Sequence, residues 1–380
     1  MKRIFYISPA ANLGGAERCL LETLKCLDRE KFDSTVLLLE DGPLRAAIKP
    51  HATNVIFLPL PQILSRAGDH DGGLVGKIRM LFCLFFFVRK LRKVLVSLQP
   101  DILHANGIKA QLLCSLSKPR GTRLVWHIHD YTSLRGISSN LLVKQAHKCD
   151  LAICNSKSVE ADFNEVCPTV LTSIVYNAFH VGEIVPEPPR HLARISLVGT
   201  YAKWKGHQLF LEAISSMQDV FRKRGLLFQI IGGPVYLTSG SQVSQDELET
   251  ISNKVGIDDL VEFHDFATDL DVVYAKVDIL VNASIQPEPF GRTLIEAMAY
   301  GKVVIAPDTG GPLEIIEDGV TGFHFQSGNA ESLAQAILRA IDYPDIADMI
   351  KAAHRNVREH FSHEALRKRM SEVYGQLTSG

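Results

Sequence analysis

Glu288 and Glu296 bracket the segment Glu288-Pro289-Phe290-Gly291-Arg292-Thr293-Leu294-Ile295-Glu296, whose residue types suit the capture of a hydroxyl-rich anion. Pro287 and Pro289 rigidify the loop around Glu288. From about Gly291 the residues favour a helix, and Gly301 suits its C-terminal cap. The backbone N–H groups of Phe290 to Thr293 would then lie at a helix N-terminus, where unpaired donors and the helix dipole favour negative charge. Glu296 falls just over one turn into that helix, within reach of a ribose attached to the anion. A carboxylate accepts from two vicinal hydroxyls at once, which suits a ribose or a sugar ring. An isolated pair of this kind would be a surface Glu on a loop and a helix-forming Glu nearby.

Other segments offer related chemistry. Lys205 stands in Gly199-Thr200-Tyr201-Ala202-Lys203-Trp204-Lys205-Gly206-His207, between an apolar run and a helical pattern. A lysine opening a helix opposes the dipole unless an anion sits between them. Gly14-Gly15 follow the first apolar run and open another helix, so backbone there can approach a ligand closely. This is not the dinucleotide-binding G-x-G-x-x-G, which disfavours an oxidoreductase. His129 ends the run Leu124–His129, whereas His127 and His104 read as structural. Asp269-Leu270-Asp271 has the form of a metal-binding pair, but it precedes helical sequence and reads as a helix cap. No His/Cys grouping has metal-ligand spacing along the chain, and no metal or cofactor is expected.

These residues need elements to hold them. Thirteen short apolar runs alternate with helical patterns, from Arg3–Ser8 through Ser173–Tyr176 and then from Ile195–Val198 to Gly322–Phe325. Near-continuous hydrophobicity is what a parallel sheet covered on both faces requires, so the rhythm predicts doubly wound α/β architecture. The stretch Gly182–Arg190 carries three prolines in four residues and reads as a linker. The expected domains are therefore 1–183 and 190–362, followed by a helical tail at 363–380 that packs back on the first. In open α/β sheets ligands bind beyond the carboxyl ends of the strands, so two such domains would face a cleft.

The segment from Glu288 to Glu296 resembles the E-x7-E motif of the retaining glycosyltransferases of family 4, which have the GT-B fold of two Rossmann-like domains. The neighbouring Glu296-Ala297-Met298-Ala299 and Gly310-Gly311-Pro312-Leu313-Glu314 resemble the same family. That resemblance implies that Glu288 contacts the donor sugar, Glu296 the nucleotide ribose, and the amides of Phe290, Gly291, Arg292 and Thr293 the diphosphate, with Leu294 counted among the donor-binding residues. It further implies that Lys205 binds a donor phosphate, that Gly14-Gly15 lie over it, and that His129 bonds the donor sugar. The family's Arg before that Lys is replaced by Thr200, with Lys203 or Arg292 as candidates for the missing charge. The implied activity is transfer of a sugar from a nucleotide-diphosphate sugar, with retained configuration, to a glycan or lipid-linked acceptor, as in polysaccharide biosynthesis. Catalytic roles fall to Glu288, His129 and Lys205, and acceptor choice to loops such as Ala67–Gly76. A GT-B-fold nucleotide-sugar epimerase and a non-catalytic nucleotide-sugar-binding partner are the rival readings, the second motivated by Thr200.

Composition narrows the setting. The 380 residues carry a formal net charge of −1, yet residues 76–123 hold ten Lys/Arg against one acid and 241–350 twenty Asp/Glu against five Lys/Arg. One half therefore either faces an anionic partner or merely bears a differently solvated surface. Within Lys77–Lys93, six basic residues flank the apolar run Met80–Val88. The stretch is either a sheet-covering helix or, the preferred reading, a helix lying at an anionic membrane surface. Aromatic and basic residues are not interleaved as stacking platforms, so nucleic acid is not expected. No run reaches the roughly 18–20 apolar residues of a spanning helix, and no secretion signal is evident. Seven cysteines without a Cys-x-x-Cys pair fit free thiols in a reducing cytoplasm, with the chain peripheral at the inner membrane face.

Overall fold

A computed structural model describes residues 1–65, 73–183, 186–189, 191–233, 241–265, 267 and 269–378, and thirteen strands form among these described residues. They fall into two units, one of Met1–Asn177 with His363–Gly380 and one of Ala178–Ser362. In the first, β1 (Lys2–Ser8), β2 (Phe32–Leu38), β3 (Asn54–Phe57), β4 (Ile102–Asn106), β5 (Arg123–Ile128), β6 (Leu151–Cys154) and β7 (Thr172–Ile174) make one sheet in the order β3-β2-β1-β4-β5-β6-β7. In the second, β8 (Arg194–Thr200), β9 (Leu227–Gly233), β10 (Val261–Asp265), β11 (Ile279–Val281), β12 (Val303–Pro307) and β13 (Phe323–Phe325) are ordered β10-β9-β8-β11-β12-β13. Every pairing is parallel.

The apolar runs account for this. Ile4, Phe5, Tyr6 and Ile7 of β1 and Val303 to Ala306 of β12 are buried throughout, as strands covered by helices on both faces must be. Each sheet reverses its winding once, between β1 and β4 in the first unit and between β8 and β11 in the second. At such a switch point the loops leaving the two strands diverge to opposite faces and open a crevice at the carboxyl ends. Both units are therefore doubly wound, Rossmann-like domains.

The last helix, His363–Thr378, belongs to the first unit. Its buried Tyr374 donates to Tyr6 Oη at 3.1 Å, and Arg367 Nε donates to the Cys26 carbonyl at 3.2 Å. The Pro-rich stretch 186–189 belongs to the second unit, where Pro186 packs against Gly301. The basic apolar segment lies in a single helix, Gly73–Leu98, so Gly73 to Gly76 open a helix where a loop was expected. The rest of the expected acceptor loop, residues 67–72, falls outside the described residues.

Candidate active site

The reversal of the second sheet sets β8 beside β11, and the loops leaving these strands carry Lys205 and Glu288. After β8 the chain makes one 3₁₀ turn, Lys203–Lys205, and reaches Gly206 at φ +74°. A Cβ on Gly206 would lie 1.8 Å from the Ala283 carbonyl oxygen. Only glycine lets the two loops meet here, for both the left-handed backbone and the contact exclude a side chain. Ile285 N–H donates to the Trp204 carbonyl at 2.9 Å and ties them further.

Glu288 is buried and well supplied with donors. Its Oε2 accepts from Lys205 Nζ at 2.6 Å, Ser284 Oγ at 3.0 Å and Asn282 Nδ2 at 3.3 Å. Lys205 Nζ also lies 4.1 Å from the centroid of the Trp204 ring, a cation–π contact. The backbone of Glu288 is fixed from a third side, where Gly311 N–H donates to its carbonyl at 2.8 Å. A Cβ on Gly311 would lie 2.5 Å from Phe290 Cα, so this glycine is required by close backbone approach.

Beyond Glu288 the helix Arg292–Ala299 starts from Gly291 at φ +100° and ends at Gly301 at φ +69°. Glu296 is buried on it. Its Oε1 accepts from Arg292 Nη2 at 3.2 Å and its Oε2 from Tyr274 Oη at 3.3 Å. Tyr274 stacks on Tyr300 at 4.8 Å, and Tyr300 Oη donates to Asp271 at 2.5 Å. Burial, with the neighbouring Glu296 charge, raises the Tyr274 phenol well above its ordinary range, so it stays a donor. Arg292 Nη1 is buried and has no hydrogen-bond partner among the described residues. Arg292 thus places a guanidinium in the first turn of this helix, whereas Lys203 is exposed. Phe290 and Leu294 are packing residues, Phe290 against Phe361 at 5.7 Å. The Leu294 N–H is committed to the Gly291 carbonyl at 2.9 Å. Asp269 caps the helix Leu270–Tyr274 by accepting from Asp271 N–H, in line with its reading as a cap.

Gly14, Gly15 and His129 lie in the first unit. Gly14 is the N-cap of the helix Gly15–Cys26, and a Cβ on Gly15 would meet nothing within 4 Å, so packing within the unit does not demand a glycine there. His129 follows β5. Its Nε2 lies 2.7 Å from Asn106 Oδ1, and its carbonyl accepts from Asn155 Nδ2 at 3.1 Å. Behind it runs a buried chain: His127 Nδ1 to His104 Nε2 at 3.1 Å, then His104 Nδ1 to Tyr374 Oη at 2.9 Å. Burial holds both inner imidazoles neutral, His104 down to about 3 and His127 well below the ordinary value, with repulsion from His129 adding. The sequence carried no sign of this chain, because Tyr374 lies in a different part of the chain from both histidines.

Two family models divide the chain between them: Glycosyltransferase Family 4 matches residues 13–181 and Glycosyl transferases group 1 matches residues 189–357. The chain belongs to these glycosyltransferase families. The D-inositol 3-phosphate glycosyltransferase of Streptomyces griseus is 29% identical over 175 residues, 45% of this glycosyltransferase but 36% of the relative's length. The lipopolysaccharide core biosynthesis glycosyltransferase LpsE of Rhizobium meliloti is 22% identical over 286 residues, 73% of this chain and 76% of its own. In fold the glycosyltransferase is similar to HepE of Anabaena, solved in complex with UDP-glucose, with a TM-score of 0.81 at 22% identity, covering 99% of this chain and 100% of that one.

Proposed function

We propose that the protein transfers a sugar from a nucleotide-diphosphate sugar, with retention of anomeric configuration, to a glycan or lipid-linked acceptor. The observation that carries this reading is the Lys205–Glu288 pair at the β8/β11 switch point, next to a helix N-terminus bearing Arg292. A cation and helix amides suit a diphosphate, and the two buried carboxylates suit the hydroxyls at its ends. In the transfer the bond from the anomeric carbon to the diphosphate oxygen breaks and a bond to the acceptor oxygen forms on the same face. The acceptor proton passes to the departing phosphate. Lys205 and the amides stabilise the charge that develops on the leaving group. Arg292 takes the part that the family gives to the Arg replaced by Thr200. Glu288 orients the sugar and Glu296 the ribose, while His129 and Gly14-Gly15 keep the donor contacts that the resemblance implies.

The helix Gly73–Leu98 supports work at an anionic membrane face. Phe87, Leu91 and Leu95 are buried, but Ile78, Leu81, Phe82, Phe85 and Phe86 are 46% to 65% exposed. Lys77, Arg79, Arg89, Lys90, Arg92 and Lys93 are exposed around them. Bulky apolar groups ringed by cations are what an interfacial helix presents to acidic lipid. No helix among the described residues is long and apolar enough to cross a membrane. Peripheral attachment to the cytoplasmic leaflet, where lipid-linked acceptors would be met, follows from the reading.

The test is a panel of UDP-, GDP- and ADP-sugars with nucleotide release followed over time. Slow hydrolysis of one donor, lost in Glu296→Ala with the fold retained, is the expected result. Interconversion of sugars would favour an epimerase, and binding without turnover a non-catalytic partner; unchanged activity in Glu296→Ala would remove the donor site from where it is placed here.

A further inference from the structure

Along the sequence no His/Cys grouping has metal-ligand spacing, but the fold of the first unit builds one. Cys19 comes from the helix Gly15–Cys26, His127 from β5, and His129 from just beyond that strand. One donor atom of each lies within 4.8 Å of the others, and Cys19 Sγ is 3.9 Å from His127 Nε2. Tetrahedral zinc, with metal–sulfur and metal–nitrogen bonds of about 2.3 and 2.0–2.1 Å, spans a sulfur–nitrogen gap of about 3.6 Å. The Cys19–His127 separation needs to close by a few tenths of an ångström, and the separations to His129, at up to 4.8 Å, by up to about 1–1.5 Å.

The hydrogen bonds around the cluster favour one set of tautomers. Asn106 Nδ2 donates to the Ala16 carbonyl at 3.2 Å, so the Asn106 oxygen is the atom facing His129 and accepts from its Nε2–H. His129 then carries its lone pair on Nδ1. On the other side Tyr374 donates to Tyr6, so its oxygen accepts from His104 Nδ1–H. His104 Nε2 is left as the acceptor for His127 Nδ1–H. His127 therefore bears its lone pair on Nε2, the nitrogen that faces Cys19. An imidazole that donates its far N–H to a fixed partner is the arrangement in which histidine binds metals, since the partner sets both tautomer and ring orientation.

We propose that Cys19, His127 and His129 form a binding site for a zinc-class divalent ion. Two imidazoles and a thiolate favour a borderline-soft cation over magnesium or calcium. Three protein ligands leave a fourth position for water or another small donor. Cys19 and His127 are buried and His129 is half-buried, so the ion enters past His129. On binding, the Cys19 S–H bond breaks, a sulfur–metal bond forms, and the proton goes to solvent without electron transfer. The site shares His129 with the transferase reading, which gives that histidine a sugar contact, while Cys19 and His127 have no part in that reading.

The experiment uses the full chain, stripped with a chelator and titrated with Co²⁺. The expected result is one equivalent bound with the visible absorption of tetrahedral cobalt and a thiolate-to-cobalt charge-transfer band, both erased by Zn²⁺. Cys19→Ala should lose the charge-transfer band, and His129→Ala should weaken Co²⁺ binding by about tenfold or more; Cys149→Ala should match the parent. Circular dichroism checks each fold, and if Cys19→Ala does not fold, the half-buried His129→Ala carries the test. An octahedral spectrum without the thiolate band, or Co²⁺ binding unchanged in His129→Ala, overturns the proposal.

Discussion

Lys205 Nζ donates to Glu288 Oε2 across 2.6 Å, joining loops from β8 and β11 although 83 positions separate the two residues. The side chains are 22% and 8% exposed, so the carboxylate is the more deeply shielded partner. Breaking a buried pair by removing one side costs about 3–5 kcal/mol because a charge is stranded, and partial exposure lowers that figure here. Lys205→Met removes the cation and leaves Ser284 and Asn282, both neutral, donating to Glu288. It should therefore lower the denaturation midpoint more than Glu288→Gln, which strands only the better-solvated lysine. On donor turnover Lys205→Met should cost about 10²–10³-fold if it serves the leaving diphosphate. Equilibrium unfolding and donor hydrolysis on both variants check the two orders; a greater stability loss in Glu288→Gln would contradict the burial argument.

Gly206 lets those two loops touch. Gly206→Ala forces a left-handed residue with a Cβ 1.8 Å from the Ala283 carbonyl oxygen, so backbone must move. Strain at such positions costs about 1–3 kcal/mol before the clash is counted. The expected outcome is a loss of more than about 3 kcal/mol in stability with turnover falling further than stability alone explains. Gly15→Ala, with nothing within 4 Å of its Cβ, should leave unfolding unchanged. Thermal melts of the two variants side by side make the comparison.

The strands were legible because parallel strands buried on both faces need unbroken apolar runs, as at Ile4–Ile7 and Val303–Ala306. Their order was not, since nothing in β8 or β11 alone states that they pair. Lys205 and Glu288 could thus be read as separate donor contacts but not as partners of each other. Tyr274, Ser284 and Asn282 are ordinary residues until the fold brings them to a carboxylate. The sequence counts Leu294 among the donor-binding residues, but only the fold shows that its N–H is taken by the Gly291 carbonyl. The Gly73–Leu98 helix is apolar on two sides, so periodicity could not say which face meets the sheet. Cys19 lies too far along the chain from His127 and His129 for spacing to connect them.

Acid should destabilise the protein through its buried neutral histidines. Burial, reinforced by the Lys205 charge, lowers His207 from 6.5 to about 4. The unfolded chain binds that proton as pH falls through 6.5, while the folded state refuses it until about 4. The stabilising contribution of neutral His207 is complete above pH 6.5 and drains away below it, to a full depth of about 3 kcal/mol. His104 and His127 act in the same direction in the first unit. Urea unfolding at about pH 7.5 and pH 5 should show the drop, and His207→Phe should flatten the part that belongs to the second unit. Parallel pH curves for parent and variant would show that His207 is not held neutral.

The exposed face of the Gly73–Leu98 helix lets the proposed membrane attachment be tested apart from folding. Phe82, Phe85 and Phe86 are each more than half exposed, and Arg89 lies 5.4 Å over the Phe85 ring. Replacing all three with Ser removes apolar surface that the fold does not bury, so unfolding should change by less than about 0.5 kcal/mol per site. Burying a Phe side chain from water is worth about 1.5–3 kcal/mol, so losing three should weaken vesicle binding by far more than tenfold. Each nearby Lys or Arg adds about 1 kcal/mol at an acidic surface, which predicts weaker binding at high salt and to purely zwitterionic vesicles. Co-sedimentation with vesicles containing phosphatidylserine, with and without salt, measures both terms. If the triple variant pellets as the parent does, the helix is not the attachment surface, and its bare aromatic face must meet another partner.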